Sequence, residues 1–160
     1  MPVLNGYGYI PYQIRSIQNQ NMDDIEIIII DDYSKDKTVE EFKKYQLEDK
    51  RIKIIENKER IGLLHGRALG VFSAKGKYIV YLDIDDMFII DDLFDTLYYE
   101  AESNNYDIVA FNGFHSNNFN YKKLYPFRYT HEDDIEIHQP KLSQIIYRYN
   151  PKIIERSAHD

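Results

Sequence analysis

The chain contains no cysteine, which excludes disulfides, thiolate metal sites and a cysteine nucleophile. Tryptophan is absent too, although 15 tyrosines keep the aromatic content high. Long apolar runs are missing. Stretches such as Ile27 to Ile30 are strand-sized, far short of the ~20 residues that cross a bilayer as a helix. No signal-peptide pattern, internal repeat or low-complexity linker is legible. Positive charge is also scarce: the net charge is −7, which argues against a broad nucleic-acid-binding surface. The expectation is a cytoplasmic protein, or one held at a membrane through other parts or partners, with no membrane span and no nucleic-acid partner.

What is present is ordinary globular composition, 43% hydrophobic and 29% charged over 160 residues, enough for one domain with a real core. Ile10, Ile14 and Ile17 recur at helical spacing, and Pro11 is tolerable only in a first turn, so a helix starts near it. Ile25 to Ile30, interrupted only by Glu26, reads as a buried parallel strand. Thr38 and Glu41 have capping-box spacing at the head of a helix reaching Gln46. Arg51 to Glu56 is a short strand, and Leu63 to Ser73 a helix carrying Gly66 and Gly70. Such a glycine pair suggests close packing or close approach of a ligand. Tyr78 to Leu82 is a strand, Asp91 to Ser103 an amphipathic helix, and Asp107 to Phe114 a further strand. The alternation predicts an α/β fold: an open, mostly parallel sheet flanked by helices. Beyond Asn117 the pattern weakens. Tyr121 to Tyr129 reads as extended and Pro140 to Tyr149 as a helix.

The strand at Tyr78 runs straight into Asp83, Asp85 and Asp86. Clustered acids after an apolar strand repel one another and require a compensator: a hard divalent cation, a nearby Arg or Lys, or solvent. Continued strand alternation would put Asp83 and Asp85 on one side, where they could hold Mg²⁺ or Mn²⁺ and leave positions open for phosphate oxygens. A second strand ends in Asp31 and Asp32. Between the two acid clusters lies Arg60 to Gly70. In open α/β sheets ligands bind beyond the carboxyl ends of strands. Two anionic clusters with an arginine there suit a nucleoside diphosphate and a metal.

Four segments, in order, carry a resemblance. Pro2-Val3-Leu4-Asn5 resembles P-x-Y-N. Glu26 to Thr38 resembles a strand ending in D-D-x-S-x-D-x-T. Gly62 to Gly70 resembles G-x-x-x-A-R-N-x-G, with Gly66 for Ala and Ala68 for Asn. Tyr78 to Asp86 resembles Y-I-x-x-L-D-x-D-D. Together they are similar to the family-2 glycosyltransferases of the GT-A fold, over about the first two-thirds of the chain. The resemblance implies metal-assisted, inverting transfer of a sugar from a nucleotide-sugar donor to a hydroxyl of a glycan, lipid or protein acceptor. It implies donor-binding roles for Asn5, Asp32, Arg67 and Asp83. It implies Asp85, with Asp83, as ligands of Mn²⁺ or Mg²⁺, and supporting roles for Asp31, Ser34 and Asp86. It names no catalytic base; His131 to Asp134 reads as a solvated acidic loop. It also implies a single nucleotide-binding domain over residues 1–160, lacking the body of its first strand and much of the acceptor half.

Two alternatives stay open. One is a non-catalytic nucleotide-binding fragment of such an enzyme. The other is a phosphoacceptor receiver domain, in which Asp31, Asp32 and Asp83 would form the acid cluster, with Ser116 and Lys122 or Lys123 nearby. His65 and His115 are read as surface residues, because no partner has ligand spacing.

Overall fold

The computed structural model describes residues 1–115 and 138–148. In chain order these form β1 (Pro2–Val3), α1 (Ile10–Gln18), β2 (Ile27–Asp31), α2 (Thr38–Glu48), β3 (Ile52–Glu56), α3 (Gly62–Ser73), β4 (Tyr78–Val80), α4 (Leu93–Ser103), β5 (Ile108–His115) and β6 (His138–Arg148). β1, β2 and β3 make a parallel sheet with β2 in the middle. Pro2 sits opposite Ile30, and Ile27 opposite Ile52. β4, β6 and β5 make a second sheet, antiparallel, with β6 in the middle.

Strand alternation sorts the isoleucines of β2 between two helical layers. Ile27 and Ile29 join a core built from Ile10, Ile14 and Ile17 of α1 and Phe42 of α2. Each such side chain, fully buried, contributes roughly 1.5–3 kcal/mol. Ile30 faces the other way, onto α3. A β-carbon built on Gly66 would lie 3.8 Å from Ile30 Cγ2 and 3.3 Å from Pro2 Cβ, and one on Gly70 would lie 3.7 Å from Ile30 Cγ1. The two glycines therefore let α3 sit close on β1 and β2, which answers the question their spacing raised. On α4, Leu97 and Ala101 are buried as the sequence pattern requires.

Three expectations are corrected in detail. Pro140 to Tyr149 is not a helix: the described part lies in β6, which pairs with both β4 and β5. Two open strand edges outweigh a helical reading that rested on the prolines. β4 ends at Val80 rather than Leu82, and Asp83 to Asp86 is a turn closed by the Asp86 amide donating to the Asp83 carbonyl at 3.1 Å. The alternation argument for Asp83 and Asp85 therefore does not apply to them. The capping box at Thr38 does not form either. Lys37 is the N-cap, without a side-chain bond, and the Thr38 hydroxyl serves Gly6 and Asp36 instead. The α/β class stands as expected, with the parallel sheet β1–β2–β3 flanked by helices and a separate antiparallel sheet of β4, β6 and β5 beside it in the chain. Tyr121 to Tyr129, His131 to Asp134, Ser116, Lys122 and Lys123 lie outside the described residues.

Candidate functional site

The carboxyl ends of β1 and β2 are laced together by their loops. The Asn5 amide donates to Ser34 Oγ at 2.9 Å, and the Lys35 amide donates back to Asn5 Oδ1 at 2.8 Å. The Gly6 amide donates to Thr38 Oγ1 at 2.8 Å, and the Tyr7 amide to Asp36 Oδ2 at 3.4 Å. Asp31 Oδ2 accepts from the Ser34 amide at 3.1 Å and closes the turn. Asn5 and Tyr33 both have positive φ, 52° and 69°. Asparagine tolerates that region; for a bulky tyrosine it is unusual, and such residues gather at ligand clamps and active sites.

Asp32 is buried and its two carboxylate oxygens reach the start of α3. Oδ1 accepts from the Ile61 amide at 2.6 Å and Oδ2 from the Gly62 amide at 3.0 Å. Gly62 has φ +79°, a conformation glycine adopts without strain. A carboxylate at a helix N-terminus satisfies amides that lack intrahelical partners and complements the helix dipole. One turn and a half along α3, Arg67 Nη2 donates to both oxygens of Asp83 at 2.9 Å. The guanidinium also lies 5.3 Å from the centre of the Tyr81 ring. The pair is about a third exposed, 30% for Arg67 and 40% for Asp83, so it contributes at most about 1 kcal/mol. Arg67 Nε is buried and has no hydrogen-bond partner, and the same holds for Asp31 Oδ1.

α3 thus connects two of the predicted residues directly: Asp32 holds its first turn, and Arg67 on its body holds Asp83. Asp85 stands exposed in the turn that follows Asp83. Ile84 between them packs onto the first loop, where a β-carbon on Gly6 would fall 2.3 Å from Ile84 Cγ1. Asn5 is tied into the loop lacing, at the opposite end of β1 from its start. His65 is exposed, and its Nδ1 contacts the Ile61 carbonyl at 2.9 Å, as expected of a surface histidine. Among the described residues, no three His, Asp or Glu side chains converge as a cation site.

Sequence reasoning missed two residues that fix this arrangement. Gln13, buried on α1, donates through Nε2 to the Asp83 carbonyl at 2.5 Å. Gln20, also buried, donates to the Ile90 carbonyl at 2.7 Å and accepts from the Phe94 amide at 3.1 Å. The available signal was their place seven residues apart, Gln13 on the apolar face of α1 and Gln20 just past its end on the same side, where a buried polar side chain requires a partner.

Comparison with known proteins gives this geometry a setting. The Glycosyl transferase family 2 profile matches residues 1–158. The chain is 29% identical over 112 residues to the glycosyltransferase GlyG of Streptococcus pneumoniae, covering 70% of this chain and 37% of that one. It is 30% identical over 173 residues to an uncharacterized glycosyltransferase of Methanocaldococcus jannaschii, covering 95% of this chain and 58% of that one. The chain therefore spans less than two thirds of the length of these relatives. Among solved structures it is similar to a mannosyltransferase from Pyrobaculum calidifontis in complex with GDP-Man and Mn²⁺. The TM-score is 0.69 at 16% identity, over 98% of this chain and 44% of that one. That likeness supports the GT-A fold of nucleotide-sugar transferases. No described helix is long and apolar enough to cross a membrane. With a matching profile over nearly its whole length, the chain belongs to glycosyl transferase family 2.

Proposed function

We propose that this chain forms the donor-binding part of a glycosyltransferase that moves a sugar from a nucleoside diphosphate to an acceptor hydroxyl, with inversion at the anomeric carbon. The observation that carries the reading is the Arg67–Asp83 pair. It is a weak ion pair, about a third exposed, at the carboxyl side of β4, with one further guanidinium donor, the buried Nε, left unmatched. A diphosphate is the anion that can take up those donors, because a guanidinium's planar fork suits phosphate oxygens.

In this reading Arg67 binds the diphosphate, and Asp83 is shared between the arginine and a cation. Asp85 and Asp83 present hard oxygen donors, the type and number with which a protein binds Mg²⁺ or Mn²⁺ alongside substrate phosphates. Bound there, the cation would balance negative charge on the departing diphosphate. Asp32 sets the position of α3 and keeps lone pairs able to accept from the nucleotide base. Asn5 and Ser34 hold the loops beneath the nucleotide rather than touch it. Family membership disfavours the receiver-domain reading, which also gives no role to α3.

The test is calorimetry with uridine and guanosine diphosphates, with and without Mn²⁺. The expected result is binding that requires Mn²⁺ in the wild type and weakens at least tenfold, roughly 1.4 kcal/mol, in Asp85→Ala. Equal affinities would remove Asp85 from the cation's ligands. A transfer assay then separates an enzyme from a binding-only fragment, which would bind the nucleotide and form no product.

A further inference from the structure

Asp83 is held by its carboxylate from one helix and by its main chain from another. Arg67 of α3 donates to the carboxylate. Gln13 of α1 donates through Nε2 to the Asp83 carbonyl at 2.5 Å, and the Asp86 amide donates to the same carbonyl at 3.1 Å. Gln13 is 1% exposed and lies on the buried face of α1 with Ile10, Ile14 and Ile17. Its Oε1 is buried as well and has no hydrogen-bond partner. A buried amide that is only half satisfied is a costly way to fill space, and an apolar side chain of the same length would fill it without that penalty. What the amide supplies is the bond to Asp83. That bond also sets which way the amide faces, because the reversed orientation would put Oε1 against the carbonyl oxygen. Further along, the residues after α1 take hold of the same segment again. Gln20 Nε2 donates to the Ile90 carbonyl at 2.7 Å, and the Asn21 amide to the Asp91 carbonyl at 2.8 Å. The acidic turn is thus spanned between supports on α1 and just beyond it, and Asp85 is exposed on that span.

We propose that Gln13 is a positioning residue for the divalent cation of the donor site. The proposal rests on the nucleotide-sugar reading above and adds to it a residue that acts through the main chain of Asp83, touching neither cation nor nucleotide. In that reading the Asp83 carboxylate serves both Arg67 and the cation. As it turns from one to the other, the ion pair loosens and the hold from α3 goes with it. The anchor from α1 then keeps Asp83 and Asp85 in place relative to each other and to the core. Without the Nε2 donor, the Asp83 carbonyl is left to the Asp86 amide. That amide belongs to the turn itself and does not tie the turn to the rest of the protein. Hydrogen bonds that orient the groups carrying metal ligands act on metal affinity in this way.

The experiment follows the binding of fluorescent uridine and guanosine diphosphates by anisotropy while Mn²⁺ is raised. The variants are Gln13→Met, which keeps the reach and removes the donor, and Gln13→Asn, which keeps the amide and shortens its reach. The control is Gln18→Met, which makes the same change on the same helix and removes a bond to Asp49 at 3.1 Å. The expected result is a rise of about tenfold in the Mn²⁺ concentration at half-maximal binding for both Gln13 variants, with wild-type behaviour in Gln18→Met. In the ligand-free protein, hydrogen exchange at the Asp86 amide is expected to be faster in Gln13→Met than in Gln18→Met. Equal exchange in the two would overturn the anchor. An unchanged Mn²⁺ midpoint in Gln13→Met, with nucleotide still bound, would overturn the inference and leave the donor site standing. An equal rise in Gln18→Met would overturn it too, because the effect is then a general loosening of α1. A wild type that binds neither nucleotide at any Mn²⁺ concentration would overturn the donor-site reading itself, and this inference with it.

Discussion

Gly6 and Asp32 are single residues on which the geometry of the site turns. A β-carbon at Gly6 would fall 2.3 Å from Ile84 Cγ1 and 3.2 Å from Val3 Cγ1, so Gly6→Ala must push the Asp83–Asp86 turn away from the first loop. The expected cost is about 1–3 kcal/mol, read from the urea midpoint, together with weaker nucleotide binding. An unchanged midpoint would mean that Ile84 turns aside freely. Asp32→Ala leaves the Ile61 and Gly62 amides without their acceptor. The expected loss is about 1–3 kcal/mol of stability even without ligand. Asp32 was legible in the sequence as an acid at a strand end, but not as the anchor of α3. Its partners lie 29 and 30 residues downstream, and a contact of that range leaves no local pattern. Thr38 misled for the converse reason: its spacing to Glu41 fits a local cap, yet a loop over thirty residues away uses its hydroxyl.

At the scale of elements, α1, α2 and β3 meet at Asp49. Its carboxylate accepts from Arg51 Nε at 3.0 Å, Arg51 Nη2 at 2.9 Å and Gln18 Nε2 at 3.1 Å. The Arg51 guanidinium chiefly holds the Asp49 pKa at about 2, below its ordinary 3.8. A carboxylate with a depressed folded-state pKa stabilises the protein above its unfolded value, and that contribution is lost as pH falls towards the folded value. Urea unfolding of wild type and Asp49→Asn should therefore differ by about 1 kcal/mol near neutral pH. The difference is expected to shrink as pH falls from about 4 to about 2; a constant difference would rule out titration of Asp49 as its source. The elements themselves were readable wherever apolar spacing was local. Ile10, Ile14 and Ile17 placed α1, and the isoleucine run placed β2. β6 was not readable, because its state is set by two partner strands, one of them nearly seventy residues earlier.

Over the whole molecule, the alternation of strands and helices up to β5 was sufficient to give the α/β class, and four short motifs in order were sufficient to give the family. Neither could show that the strands divide into a parallel and an antiparallel sheet, since that depends on how β4 is paired. The lacing between Asn5, Gly6 and Tyr7 on one loop and Ser34, Lys35, Asp36 and Thr38 on the other has a kinetic consequence. Much of the conformational freedom that an arriving guest would otherwise have to remove is already gone from this rim. In stopped-flow mixing with a fluorescent nucleoside diphosphate, the observed rate should climb in proportion to concentration, without a plateau. Saturation of that rate would reveal a slow rearrangement and show that these crosslinks yield before the guest can settle.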